Sequence, residues 1–283
     1  MSDQAGFAAR GGRLVERHRL AALGGGICAA AFLAALLGPA LDRVSPEAVH
    51  VSVMLQPPST AWPLGTDDLG RDILSRLLAG GRISLGVGLA ATALAACGGV
   101  SAGLVSGYWG RWVDTALMRL ADLLFAFPAM VLAVAIVGVL GPNLANATLA
   151  IAVVAMPRFA RLVRGQVRVL REMEFIEAAT ATGATGIRIM RRHLLPNLLG
   201  LVTIEATLTV SFAILTEASL SFLGLGAQPP TASLGSMLRY GYPFLDQAPW
   251  IALAPGMAIM ITILGLNLLG DGARDALDPR LRS

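Results

Sequence analysis

The residues of this chain that could do chemistry are few, and their spacing excludes most of it. All 22 basic residues among the 283 are arginine, and there is no lysine. A phosphate-cradling P-loop and a Schiff-base site both need a lysine. The chain therefore carries no Walker-type ATP site of its own. The histidines, His18, His50 and His193, stand far apart. The cysteines, Cys28 and Cys97, both sit inside apolar runs and suit small core residues. No His/Cys cluster has metal-ligand spacing. Asp67, Asp68 and Asp72 could bind a cation, but capping a helix is the commoner use of such acids. Glu205 and Glu217 share one apolar run. Their separation of about 18 Å along a helix puts them on different faces, so they form no carboxylate pair. An ionisable group in a spanning helix is costly and a functional candidate. Glu217 suits a structural place near the outer end, and Glu205 is open between helix–helix contact and pathway polarity. No catalytic constellation, metal site or cofactor site is expected.

The elements that hold these residues belong to a membrane protein. Hydrophobic residues make up 55% of the chain and charged ones 14%, against roughly a quarter charged in soluble domains. The expected fold class is all-α, with six transmembrane helices. Apolar runs place them over Leu20–Leu41, Ile83–Gly107, Leu120–Val139, Leu144–Phe159, Leu198–Leu220 and Ile251–Leu269. The basic flank Arg10, Arg13, Arg17 and Arg19 resembles a signal peptide's start, but the long apolar run favours an uncleaved first helix. With the N-terminus inside, the cytoplasmic pieces hold those four arginines, Arg111, Arg119, the series from Arg158 to Arg192, Arg274, Arg280 and Arg282. The outer pieces hold only Arg43, Arg71, Arg76, Arg82 and Arg239. Arginine bias therefore predicts both termini inside.

One polar stretch organises the cytoplasmic side. Glu174–Asn197 reads EFIEAATATGATGIRIMRRHLLPN. A helix through Glu177-Ala178-Ala179 is expected to break at Gly183. A second piece over Ala184–His193 follows, with Ile187, Met190 and Leu194 on one face, and is expected to stop near Pro196. Two short helices of this kind suit a part seated in another protein's groove, or a surface loop. Outside, Leu69–Leu78 separates polar from apolar residues at helical period, which predicts an interfacial helix capped by Thr66 or Asp67. Gly99, Gly103 and Gly107 form a stripe on which a neighbouring helix can lie closely. Asp122 suits the inner interface, and Pro128 is expected to bend its helix. Arg158, Arg161, Arg164, Arg168 and Arg171 form a basic stripe suited to lipid headgroups and not to nucleic acid. Gly224-Leu225-Gly226 and Pro229-Pro230 predict a loop packed on protein. The sixth span is expected to bend at Pro255-Gly256, and a short charged helix capped by Asp271 is expected after Gly270.

These motifs together resemble the permease subunits of ABC importers, specifically the C-type subunit of the dipeptide, oligopeptide and nickel group. Glu177-Ala178-Ala179, Gly183 and Leu195-Pro196 match the superfamily's loop pattern, with His193 where the general pattern has Ile. GTDDLGRD at Gly65–Asp72, EASLSFLGLGAQPP at Glu217–Pro230 and GDGARDALDP at Gly270–Pro279 look like the subgroup. The resemblance implies a type I importer permease fold. Residues 1–82 would hold the N-terminal tail, first helix and external interfacial helix, and residues 83–283 the permease core with five spans and the coupling loop 174–197. It implies a second, related permease subunit in a heterodimer, two ATPase subunits beneath, and an extracytoplasmic binding protein that delivers solute. Glu177, Ala178, Ala179, Gly183, Leu195 and Pro196 would dock one ATPase. The implied function is ATP-driven dipeptide or oligopeptide import, with nickel or glutathione-type cargo the alternative. An ATP-independent channel or secondary transporter using Glu205, or a membrane scaffold without flux, is the different class.

Overall fold

The computed structural model describes residues 20–38 and 44–277. Arg10, Arg13, Arg17, Arg19, Arg43, Arg280 and Arg282, with the outer end of the first expected span, lie outside these residues. The described residues are helical apart from turns and one isolated bridge, Thr66 to Asp72. In chain order the helices are α1 (Leu20–Gly38), α2 (Ile73–Trp109), α3 (Arg111–Phe125), α4 (Ala129–Leu140), α5 (Leu144–Leu170), α6 (Glu174–Ala181), α7 (Gly186–Ile189), α8 (Leu195–Phe222), α9 (Leu234–Gly241) and α10 (Trp250–Leu277). Five of them are long and apolar enough to cross a membrane, and the bent pair α3–α4 makes a sixth if it counts as one span.

Two compact units divide the chain, Met1–Gly86 with Ser221–Ser283, and Val87–Leu220. The division runs through α2 and near the end of α8. In the first unit, Ile73, Ala232, Met237, Ala248 and Ile251 form a core. Around it the stretch Gly65–Asp72 folds into a polar knot. Asp67 Oδ1 accepts the N–H groups of Leu69 (3.0 Å) and Arg71 (2.9 Å), and Oδ2 takes Arg71 Nε at 2.6 Å. Asp72 caps α2 by accepting the Ser75 N–H (3.0 Å) and hydroxyl (2.6 Å).

This knot replaces the expected interfacial helix. No separate helix covers Leu69–Leu78: residues up to Asp72 form the turn, and α2 then runs unbroken to Trp109. The cap is Asp72, not Thr66 or Asp67. The polar side that suggested a water-facing surface is instead buried: Ser75 and Arg76 are 1% and 4% exposed, and Arg76 Nη1 donates to the Pro46 carbonyl at 3.1 Å. Also in this unit, α9 was not foreseen. A reciprocal Ser233–Ser236 capping box starts it, and it packs along α10. α10 continues through Asp271, which therefore lies inside a helix and caps nothing.

In the second unit the third expected span is not one bent helix. α3 and α4 meet at 93° across Ala126–Pro128. α4, at 12 residues, is about 18 Å long and too short to span alone. Pro128 opens α4 and cannot continue α3, since its ring and missing N–H break the ladder.

Candidate functional site

The stretch Glu174–Asn197 is built on one apolar cluster. Ile176 and Ala179 of α6 are buried against Val163, Val167 and Leu170 of α5, and against Ile189, Met190, Leu194 and Leu198. The other side of α6 is open: Glu174, Phe175, Glu177, Ala178 and Ala181 are all exposed. Glu174 and Glu177 lie in its first turn, where the helix dipole favours anions.

α6 ends in a Schellman motif. The Ala184 N–H donates to the Ala179 carbonyl (3.1 Å) and the Gly183 N–H to Thr180 (3.0 Å). Gly183 holds φ at +79° with open space around its would-be Cβ. Its requirement is therefore backbone conformation and not close packing.

Beyond α7 the chain differs from expectation in two ways. The helix does not stop near Pro196. A π turn over Met190–Leu194 leads directly into α8. The Leu195 N–H reaches back to the Met190 carbonyl, and Asn197 Nδ2 donates to the His193 carbonyl at 2.6 Å. The widened turn accommodates a proline that supplies no N–H of its own. Ile187 does not share a face with Met190 and Leu194: it is 61% exposed, while Ile189 takes the inner position. Leu195 is half-buried and Pro196 exposed. An exposed face thus runs over Met173, Phe175, Ala178 and Ile187, with Glu174, Glu177 and Arg188 also exposed.

The base of this loop is tied to α2. Gly99, Gly103 and Gly107 lie against α5 at backbone contact. A Cβ at Gly99 would sit 2.5 Å from the Met156 carbonyl oxygen, at Gly103 2.6 Å from that of Ala160, and at Gly107 2.7 Å from Val167 Cβ. Tyr108, one residue on, packs against Gly186 of α7. Arg171, just beyond α5, donates to the Tyr108 carbonyl at 2.8 Å.

Much of the arginine stripe of α5 is engaged within the chain. Arg164 makes a two-pronged pair with Asp114, which also accepts the Ser106 hydroxyl. Arg161 pairs with Asp122 at 2.6 Å and lies over the Phe125 ring. Acids and rings of α3 reach these guanidiniums because the break before α4 turns α3 across α5. Asp114 and Tyr108 were missed in the sequence. The signal available was Asp114 and Asp122 facing arginines three apart.

Glu217 is fully buried in α8, and Glu205 is half-buried about three turns from α8's N-terminal end. They are on one helix and form no common site. Among the described residues no group of His, Cys, Asp and Glu has the arrangement to hold a metal ion.

The family model for the binding-protein-dependent transport system inner membrane component matches residues 99–283. The chain belongs to that family. A dipeptide transport system permease protein of Alkalihalophilus pseudofirmus is 46% identical over 95% of this chain and 88% of its own. A glutathione transport system permease protein of Escherichia coli is 47% identical over 80% of this chain and 74% of its own. The permease also shares its fold with a chain from inward facing conformations of the MetNI methionine ABC transporter. That likeness has a TM-score of 0.50 and 23% identity, and covers 69% of this chain and 95% of the other. The permease is therefore an all-α membrane component with a type I importer fold.

Proposed function

We propose that this permease is the membrane-spanning subunit of an ATP-driven importer of dipeptides or oligopeptides in the bacterial inner membrane, with both termini cytoplasmic. The observation that carries the reading is the open face of α6. It is a short helix fixed to the inner end of α5 by Ile176 and Ala179, while Glu177, Ala178 and Phe175 face outward. Such a face suits the groove of an ATPase partner. The likeness to permeases named for dipeptide transport supports the cargo class.

In this reading a second permease completes the path, two ATPase subunits seat the paired loops, and an external binding protein delivers the peptide. Glu177, Ala178, Ala179, Gly183, Leu195 and Pro196 shape the docking joint, and the Gly99–Gly103–Gly107 seam keeps α2 and α5 moving as one body. ATP is hydrolysed in the partners. Its binding shifts the permease between outward and inward access by differential affinity for the two states.

Reconstitution of the whole complex in liposomes tests this. Labelled dipeptide is expected to enter only with ATP and the binding protein. Uptake that proceeds at full rate without ATP would overturn the reading in favour of a channel or secondary transporter.

A further inference from the structure

Arg158 differs from the arginines that follow it on α5. It lies about 21 Å along the helix axis from Leu144, inside the roughly 30 Å of a hydrocarbon core. It is exposed on this chain and makes no ion pair among the described residues. Arg161 and Arg164, one and two turns further in, are each taken by an aspartate. Its guanidinium lies over the Phe212 ring of α8, 4.9 Å from the centroid. On α8, Glu205, Thr209 and Phe212 are four and seven residues apart and so share a face. Arg158 therefore lies against the same face of α8 that carries Glu205, and the two make no ion pair among the described residues.

A cation and an anion on one shared face, unjoined, at membrane depth are not solvated by lipid. Groups of this kind mark water-filled pathways. The Phe212 ring braces the guanidinium plane and leaves its N–H edges open. We propose that this face of α5 and α8 lines the solute path and forms a subsite for zwitterionic peptides. Arg158 takes the terminal carboxylate through charge-assisted hydrogen bonds, and Glu205 takes the terminal ammonium. The inference rests on the peptide-import reading above.

The test uses the reconstituted complex and three probes: dialanine, its C-terminal amide and its N-acetyl form. Arg158→Gln is expected to raise the KM for dialanine about tenfold or more, the scale of one lost hydrogen bond to a charged group. The KM for the amide should stay put. Arg158→Lys should recover part of the loss. Glu205→Gln should act on dialanine and spare the N-acetyl form. Equal preference for acid and amide in wild type and Arg158→Gln alike would overturn the proposal while leaving peptide import standing. A second arm needs no transport. In a Cys28→Ser, Cys97→Ser background, Arg158→Cys should react with a charged, membrane-impermeant thiol reagent and be protected by dialanine. Reaction only with a lipid-phase reagent would show Arg158 reaching toward headgroups and would sink the proposal. If wild type moves no dipeptide but position 158 faces water, the pathway stands and the peptide assignment falls.

Discussion

The Arg171 guanidinium, just past the end of α5, donates to the carbonyl of Tyr108 at the end of α2, 2.8 Å away, and faces that residue's ring at 5.9 Å. The same ring presses on Gly186, where a Cβ would come within 2.8 Å of Tyr108 Cε1. Three helix ends on either side of α6 therefore meet at one tyrosine. This contact joins the loop that holds α6 to α2, as Ile176 and Ala179 join it to α5.

Tyr108→Ala is expected to leave the complex assembled and lower peptide uptake per ATP hydrolysed several-fold. The check is parallel measurement of uptake and phosphate release in proteoliposomes. Arg171→Ala should act in the same direction and Arg171→Lys more weakly, because a lysine can still donate to the carbonyl. Unchanged stoichiometry in all three would show that the contact transmits nothing.

The glycine seam gives a stability prediction with an internal control. Gly103→Val drives a branched side chain into the Ala160 carbonyl and Val163, whose nearest atoms are 2.6 and 2.8 Å from an ideal Cβ. Overpacking of this kind costs about 1–3 kcal/mol. Thermal melting of the purified permease should shift down accordingly. Gly138→Ala in α4 meets nothing within 4 Å and should be neutral or stabilising by up to about 1 kcal/mol. Equal melting of both variants would contradict the backbone contact.

Membrane class, most of the spans and the break at Gly183 were legible because apolar length and a helix-ending glycine are local signals. The connections were harder for reasons visible in particular residues. Leu69–Leu78 alternates at helical period, but its polar half serves Asp67 and Asp72 inside the protein, so amphipathicity alone mistook a buried knot for a surface. Pro196 looked like a stop because the π turn that absorbs it has no sequence signature at that place. α9 is announced only by Ser233 and Ser236, a serine pair that does not match the usual Glu or Gln at the third position. The partners of the α5 arginines lie 39 and 50 residues away, across a break whose angle sequence does not give.

Asp68 gives a pH dependence. Burial, and then the neighbouring Asp67 carboxylate, holds its carboxyl above the usual range despite Arg71. Its folded pKa therefore exceeds its unfolded value, and the folded turn binds the extra proton. The stability gained by protonation is present at the acid end and is lost as pH rises from the ordinary aspartate range through the raised value. The Gly65–Asp72 turn should resist proteolysis better toward the acid side of that window. Asp68→Asn should flatten the dependence, and an unchanged pH profile in that variant would assign the effect elsewhere.

The docking loop itself is tested by two variants that touch nothing else in the chain. Glu177 is exposed in the first turn of α6, so Glu177→Arg costs about 0.3–1 kcal/mol through the helix dipole and breaks no described contact. Folding and insertion should survive it, while co-purification of the ATPase partners and uptake should be lost. Gly183→Val puts a branched side chain at φ +79°, a strain of roughly 1–2 kcal/mol with no clash around it. It should distort the Schellman turn locally and weaken ATPase retention, and Gly183→Asn, whose side chain tolerates that conformation, should retain more. Wild-type ATPase recovery with both Glu177→Arg and Gly183→Val would move the docking surface away from α6.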